Sequence, residues 1–315
     1  MDDVTSPLDL SAFLKTLQRR DKEPNSARVL NSWIAQAERK AGSESGRLGW
    51  LIASTVVTAK LQKVSQADQT PYFLLKGGTL LQHRLTHFSR ATRDLDGMVR
   101  ADLDTFISLL DSELAYDWGP FSFTRGSVSL INVPYLEVKP RRFTVSLFLN
   151  GVIWRTINVE ISPSEGGVGE DIESFLAPDI AGFGIIGPEQ LSGIPLSYQI
   201  AQKVHAVTDP HNPPASRNDR VRDVIDLVLL KELIEMLGAP HLGDVADSIQ
   251  ETFIFRAMGS RKAGMTARTW PATIQAYPHW EVEFERTARE INFPYSLSES
   301  IQLLNSWLLG IQRKK

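Results

Sequence analysis

The sequence predicts an α+β fold, a mixed sheet with helices followed by a mostly helical C-terminal lobe. Three observations carry this reading. An apolar strand, a Gly-Gly-Thr turn, a helix and a second strand follow one another between Tyr72 and Val99. Two runs rich in β-branched and aromatic residues, 143-FTVSLFL-149 and 152-VIWRTINVEIS-162, meet at Asn150-Gly151, a strong hairpin signal. From Leu196 to the end the apolar spacing is helical.

Taken in order, Ser6-Pro7 reads as an N-cap with proline at the first helical position, and Leu8, Leu10, Phe13, Leu14 and Leu17 form a helical stripe. A second helix is expected after Ser26 and a third over residues 46–64. Within the third, 50-WLIASTVVTA-59 is too short and too polar at its ends to span a bilayer, so it predicts a buried helix. The strand 72-YFLLK-76 turns at Gly77 and Gly78 into a helix carrying Leu80, Leu81 and Leu85. Alternation in 94-DLDGMV-99 predicts a strand, and 101-ADLDTFISLLDSEL-114 a helix. The glycines and prolines of 163–189 read as loop and hold the expected boundary between a core of 1–175 and a lobe of 176–315.

At 315 residues the chain can bury a sizeable core, and 42% hydrophobic with 23% charged residues excludes wholesale disorder. A net charge of -3 removes any argument for nucleic-acid binding from bulk charge and leaves only local patches. The absence of cysteine excludes disulfides, thiolate metal sites and a cysteine nucleophile, and suits a reducing cytoplasm. The acidic start MDDVTSPLDLSAFL lacks a basic region and an apolar core, so no export signal is expected.

The chemistry concentrates in 76-KGGTLLQHRLTHFSRATRDLDGMVR-100. Aspartates at i and i+2 of a strand share a face, so Asp94 and Asp96 can converge on magnesium while Leu95 packs behind them. Upstream, Gly77 and Gly78 allow close backbone approach to a phosphate, and the following helix N-terminus with the Thr79 hydroxyl can donate to it. Either half alone is a common surface or turn feature; their order and spacing carry the information. In the helical half, Lys203 falls on the apolar stripe of Ile200, Val204 and Val207, where it either snorkels or meets a buried anion. Asp223 and Asp226 interrupt the apolar run 219-DRVRDVIDLVLL-230, which is costly unless they are paired. The loop 208–220, rich in proline, is expected to be mobile and near substrate.

The stretches 74-LLKGGTLLQHRL-85 and 89-SRATRDLD-96, with the later lysine and aspartate pattern, resemble the AbiEii and MenT-type nucleotidyltransferase toxins of bacterial toxin–antitoxin and abortive-infection systems. These belong to the DNA polymerase β-like nucleotidyltransferase superfamily. By order of features the resemblance covers about the central two-thirds of the chain. It departs from simple polymerase β relatives in carrying Gly-Gly-Thr where many have Gly-Ser, and in the long gap to the aspartates. The resemblance implies a polymerase β-like core, a magnesium-dependent transfer of a nucleoside monophosphate from an NTP to the 3′ end of transfer RNA, arrest of translation, and a cognate antitoxin as partner, with no membrane.

It further implies a third carboxylate from a neighbouring strand, for which Glu160 is the candidate as metal ligand or general base; on alternation alone Glu160 is equally an ordinary outward-facing residue. Lys203 and Asp223 match the later family motif, with Lys203 neutralising phosphate charge and Asp223 orienting that lysine or an arginine, against the alternative of a purely structural ion pair; Asp226 reads as structural. Arg90 and Arg93 either contact phosphates or partner the aspartates, and Arg93 is placed with Gly77, Gly78 and Thr79 at the triphosphate. A phosphate on Thr92 would oppose both metal ligands and triphosphate. Same chemistry on a small-molecule hydroxyl or a protein side chain, and a nucleotide-binding module without catalysis, are the alternatives.

Other features read as mostly structural. His83 and His87 at i and i+4 lack the glutamate and third ligand of a zinc site. The basic runs 139-KPRR-142, 261-RKAGMTAR-268 and 313-RKK-315 could line an RNA path but are more often solvated faces. Trp270, Trp280 and Trp307 could stack on bases but are usually core in helices.

Overall fold

The computed structural model describes residues 10–41, 46–85, 92, 94–214 and 216–314. The chain enters through three helices, α1 (Leu10–Thr16), α2 (Ala27–Lys40) and α3 (Arg47–Lys63). Ser26 caps α2, its side chain accepting from the Val29 N–H. α3 is buried on nearly every side, with Ile52, Val56 and Val57 inaccessible, so the apolar 50–59 run is a core helix as expected. The proposed cap at Ser6-Pro7 lies outside the described residues.

Next come β1 (Phe73–Leu75), α4 (Gly77–Arg84), β2 (Asp94–Val99) and α5 (Leu103–Leu114). They are followed by β3 (Phe121–Arg125), β4 (Ser129–Leu130), β5 (Arg141–Leu149) and β6 (Val152–Pro163). The β5–β6 hairpin turns through Asn150 and Gly151, both with positive φ (52° and 77°), as a two-residue turn between twisted strands requires. β7 (Glu173–Leu176) and β8 (Gln190–Gly193) complete the sheet. Its order is β3-β5-β6-β2-β1-β8-β7, with β4 on β5. β2 lies in the middle, antiparallel to β1 and parallel to β6.

The stretch expected as loop therefore contains a strand. β7 is four residues long at the sheet edge, with none of them fully buried, so it has too little alternation to register against its glycines and prolines. The expected boundary after residue 175 falls inside it.

The remaining helices are α6 (Leu196–Val207), α7 (Val221–Leu237), α8 (Leu242–Lys262), α9 (Glu281–Glu290) and α10 (Leu297–Gln312). Buried side chains form two clusters, one around the sheet with α1, α2, α3 and α5, the other among α6 to α10. α4 belongs to both: Leu80 packs in the first and Leu81 in the second. Among the described residues no helix is long and apolar enough to cross a membrane.

Candidate active site

The turn after β1 closes directly on a carboxylate. The Lys76 N–H donates to the Asp96 carbonyl at 3.0 Å. Gly77 has φ 63°, and a Cβ on it would run into the Asp96 side chain. Only glycine satisfies both conditions. The Gly77 carbonyl accepts from Gln199 Nε2 at 3.1 Å, so α6 holds the turn from across the cleft. Gly78 follows, half-buried, as the second residue of α4. Thr79 is fully buried and its hydroxyl donates to the Asp94 carbonyl at 2.8 Å. Where the sequence reading gave this hydroxyl to a phosphate, the fold spends it on tying α4 to β2.

Asp94 and Asp96 lie on one face of β2, with Leu95 buried between them. Asp94 is exposed at the strand start and accepts from Asn158 Nδ2 at 3.3 Å. Asp96 stands in register with Glu160 of β6. Glu160 accepts from Arg142 Nε at 2.8 Å, with a second bond from the same guanidinium. Burial pushes the Asp96 pKa up to about 6; Glu160 and Asp94 add to the rise while Lys76 and Lys203 oppose it. Crowded carboxylates with a penalised negative charge are the setting that a divalent cation relieves.

Among the described residues no three carboxylate or imidazole groups stand close enough to hold a metal by themselves. The donor chemistry still fits magnesium, which takes one or two carboxylates and completes its shell with water and phosphate oxygens. His83 does not offer an alternative centre. Its imidazole is buried without a hydrogen-bond partner among the described residues, burial pushes its pKa down to about 4, and His87 lies outside the described residues, as do Arg90 and Arg93.

The helical lobe faces these groups across a cleft of about 340 Å³ that Gly77, Asp96, Glu160, Lys203 and Asp223 all line. Lys203 Nζ sits between Asp223 (2.7 Å) and Asp226 (2.6 Å). Asp226 is inaccessible to solvent and Asp223 reaches the cleft. The apolar run thus accommodates two aspartates because one buried lysine pairs with both.

Among the cleft residues that sequence reasoning left without a role are Lys76, Ser162, Glu165 and Arg256. Lys76 donates to Ser162 Oγ at 2.6 Å, and burial of its ammonium lowers its pKa. Glu165 pairs with Arg256 at 2.7 Å; burial alone would raise its pKa, but the guanidinium holds it below the usual value. Lys76 had a signal, since it directly precedes the glycine pair. Ser162, Glu165 and Arg256 had none, because their partners come from distant chain segments.

Several of the remaining features are tied into the fold. In the run 139–142, Lys139 donates to the carbonyls of Val133 and Leu136, Arg141 faces Asp104 and Arg142 holds Glu160. Arg268 is committed to Asp209 and His205. Trp280 and Trp307 are core, and Trp270 packs against it. The loop 208–220 is pinned by Asn218, whose side chain bonds the carbonyls of Val207 and Asp209; Arg220 at its end lines the cleft.

Residues 60–298 match the family model described as nucleotidyl transferase AbiEii toxin, type IV toxin–antitoxin system. Among solved structures, the chain is similar to the nucleotidyltransferase toxin MenT4 from Mycobacterium tuberculosis, with 14% identity, 84% of this chain and 91% of that chain covered, and a TM-score of 0.42. No curated protein matches the chain.

Proposed function

The chain belongs to the AbiEii family of nucleotidyltransferase toxins, and from that premise we propose that it moves a nucleoside monophosphate from an NTP to the 3′ end of transfer RNA in the cytoplasm, with magnesium as cofactor and an antitoxin as partner. One observation carries the reading: the Gly77 turn packs on Asp96, with Glu160 in register beside it and Lys203 across one cleft.

In this mechanism the N–H groups that open α4 at Gly77 and Gly78 receive the triphosphate. Lys76 and Lys203 offset its charge as the phosphoryl group transfers. Asp223 and Asp226 fix Lys203 in place at the cleft wall. Asp94 and Asp96 would hold magnesium, which would polarise the phosphate oxygens and favour ionisation of the attacking hydroxyl. The 3′-hydroxyl oxygen bonds to the α-phosphorus, the bond to the bridging oxygen of the β-phosphate breaks, and pyrophosphate leaves. The hydroxyl proton passes to Glu160. Thr79 acts as a positioning residue through the Asp94 carbonyl, and Arg93 joins the triphosphate.

The test supplies magnesium, each α-labelled NTP in turn and total bacterial transfer RNA to the wild type and to Asp96→Asn. Label in RNA with the wild type alone is expected. A folded wild type that binds NTP but labels no RNA would reject transfer RNA as acceptor and turn the search to proteins and small molecules.

A further inference from the structure

The cleft has an end that the phosphate and metal chemistry leaves unused. Between β4 and β5 the chain folds over it as a roof. Ile131 N–H donates to the Pro140 carbonyl at 2.8 Å, and Lys139 Nζ binds the Val133 and Leu136 carbonyls at 2.8 and 2.7 Å. From behind, α8 comes so close at Gly259 that a Cβ would strike the Tyr135 carbonyl. Three independent ties thus fix a segment of irregular backbone, and it presents Ile131, Val133 and Tyr135 to the cavity. Opposite runs the stripe of α6 at positions 199, 202, 203 and 206, which lie on one helix face.

Most polar side chains around the cleft are already committed. Lys76 holds Ser162, Glu160 holds Arg142, Glu165 holds Arg256, Lys203 holds its two aspartates, and Gln199 spans Gly77 and Arg84. The Gln202 amide and the Tyr135 hydroxyl line the same cleft, half-buried, and neither has a hydrogen-bond partner among the described residues. An uncommitted amide and phenol beside aliphatic side chains offer a flat apolar contact and hydrogen-bonding groups at its edge. That is the chemistry of a heterocyclic base.

We propose that the roof and the Gln202 face of α6 form a nucleobase subsite, with Gln202 hydrogen-bonding the base edge and Tyr135 closing the apolar wall, and that this subsite sets the choice among bases. The inference rests on the nucleotidyl-transfer reading. The same chemistry could take the base of the incoming NTP or the terminal base of the acceptor, and kinetics separate the two sources.

The experiment measures kcat and KM for ATP, CTP, GTP and UTP, and KM for the RNA acceptor, with wild type, Gln202→Leu, Gln202→Glu and Tyr135→Phe, each checked for folding by urea denaturation. A wild-type preference for one NTP is expected, with Gln202→Leu raising KM for that NTP by about tenfold, the worth of one edge hydrogen bond, while the disfavoured NTPs and kcat change little. Gln202→Glu keeps the shape, removes the donor end, and should reorder the preference. A rise confined to the RNA KM would assign the subsite to the acceptor base. An unchanged NTP ranking and unchanged RNA KM in folded Gln202 variants, or a wild type indifferent to the base, would overturn the subsite. Failure of the wild type to transfer any NTP would instead overturn the underlying reading, and Asp96→Asn, which should lose all four NTPs equally, keeps the two failures apart.

Discussion

Lys203 is an anchor in the fold and, in the proposed mechanism, a reagent as well. It is buried with Asp223 and Asp226 within hydrogen-bond distance, so removing its charge leaves two carboxylates unpaired. Lys203→Met should therefore destabilise the fold by about 3–5 kcal/mol, measured by urea denaturation, besides abolishing transfer. Gly77 and Gly151 make a matched pair, both with positive φ. At Gly151 a Cβ would meet nothing, whereas at Gly77 it would meet the Asp96 carboxylate. Gly151→Ala should cost only the backbone strain, about 1 kcal/mol, and leave activity intact. Gly77→Ala should displace the turn and eliminate NTP binding, as followed by calorimetry. The aspartate pair and the glycines were legible in the sequence because their relation is local. Lys203 and the aspartates of α7 were legible as charges on apolar faces. Glu165 and Arg256, 91 residues apart, form a pair that no local pattern announces.

At the level of elements, the site depends on α4, which starts at the Gly77 turn and ends at Arg84, where the guanidinium bonds Gln199 and pairs with Glu173. The roof between β4 and β5 depends on Lys139 in the same way. Lys139→Met frees the Val133 and Leu136 carbonyls, so it should raise KM for the NTP while leaving kcat nearly unchanged in steady-state kinetics. Elements with long periodic patterns or strong caps, such as α2, α5 and the β5–β6 hairpin, were readable from the sequence. β7 was not, because an edge strand of four residues is stabilised by its partner β8 and not by its own pattern. The roof was unreadable for a related reason. It has no regular structure, and its shape comes from a lysine reaching backbone carbonyls.

For the whole molecule, the two buried clusters meet at α4, and the cleft lies between the central strands β2 and β6 of one and the helices of the other. Buried histidines couple this architecture to pH. Burial pushes His83 from 6.5 down to about 4 and His205 to about 2, with Arg256 and Arg268 adding to the latter. Below pH 6.5 the unfolded chain takes up protons that the folded protein refuses, so stability falls as pH drops from 6.5 towards 4 and below. His83→Phe should flatten the part of that loss between pH 6.5 and 4 in denaturation curves. The net charge of -3 says little about the cleft, where Lys76, Lys203 and Arg256 gather beside the carboxylates.

The most direct test of the central claim, that the Gly77 turn and the β2–β6 carboxylates form one nucleotidyl-transfer site, is a crystal structure with magnesium and a non-hydrolysable NTP. The triphosphate is expected against Gly77 and Gly78, with its α-phosphate and the cation beside Asp96 and Glu160, and Lys203 within reach. A triphosphate bound away from this cleft, or one whose cation ignores both carboxylates, would contradict it.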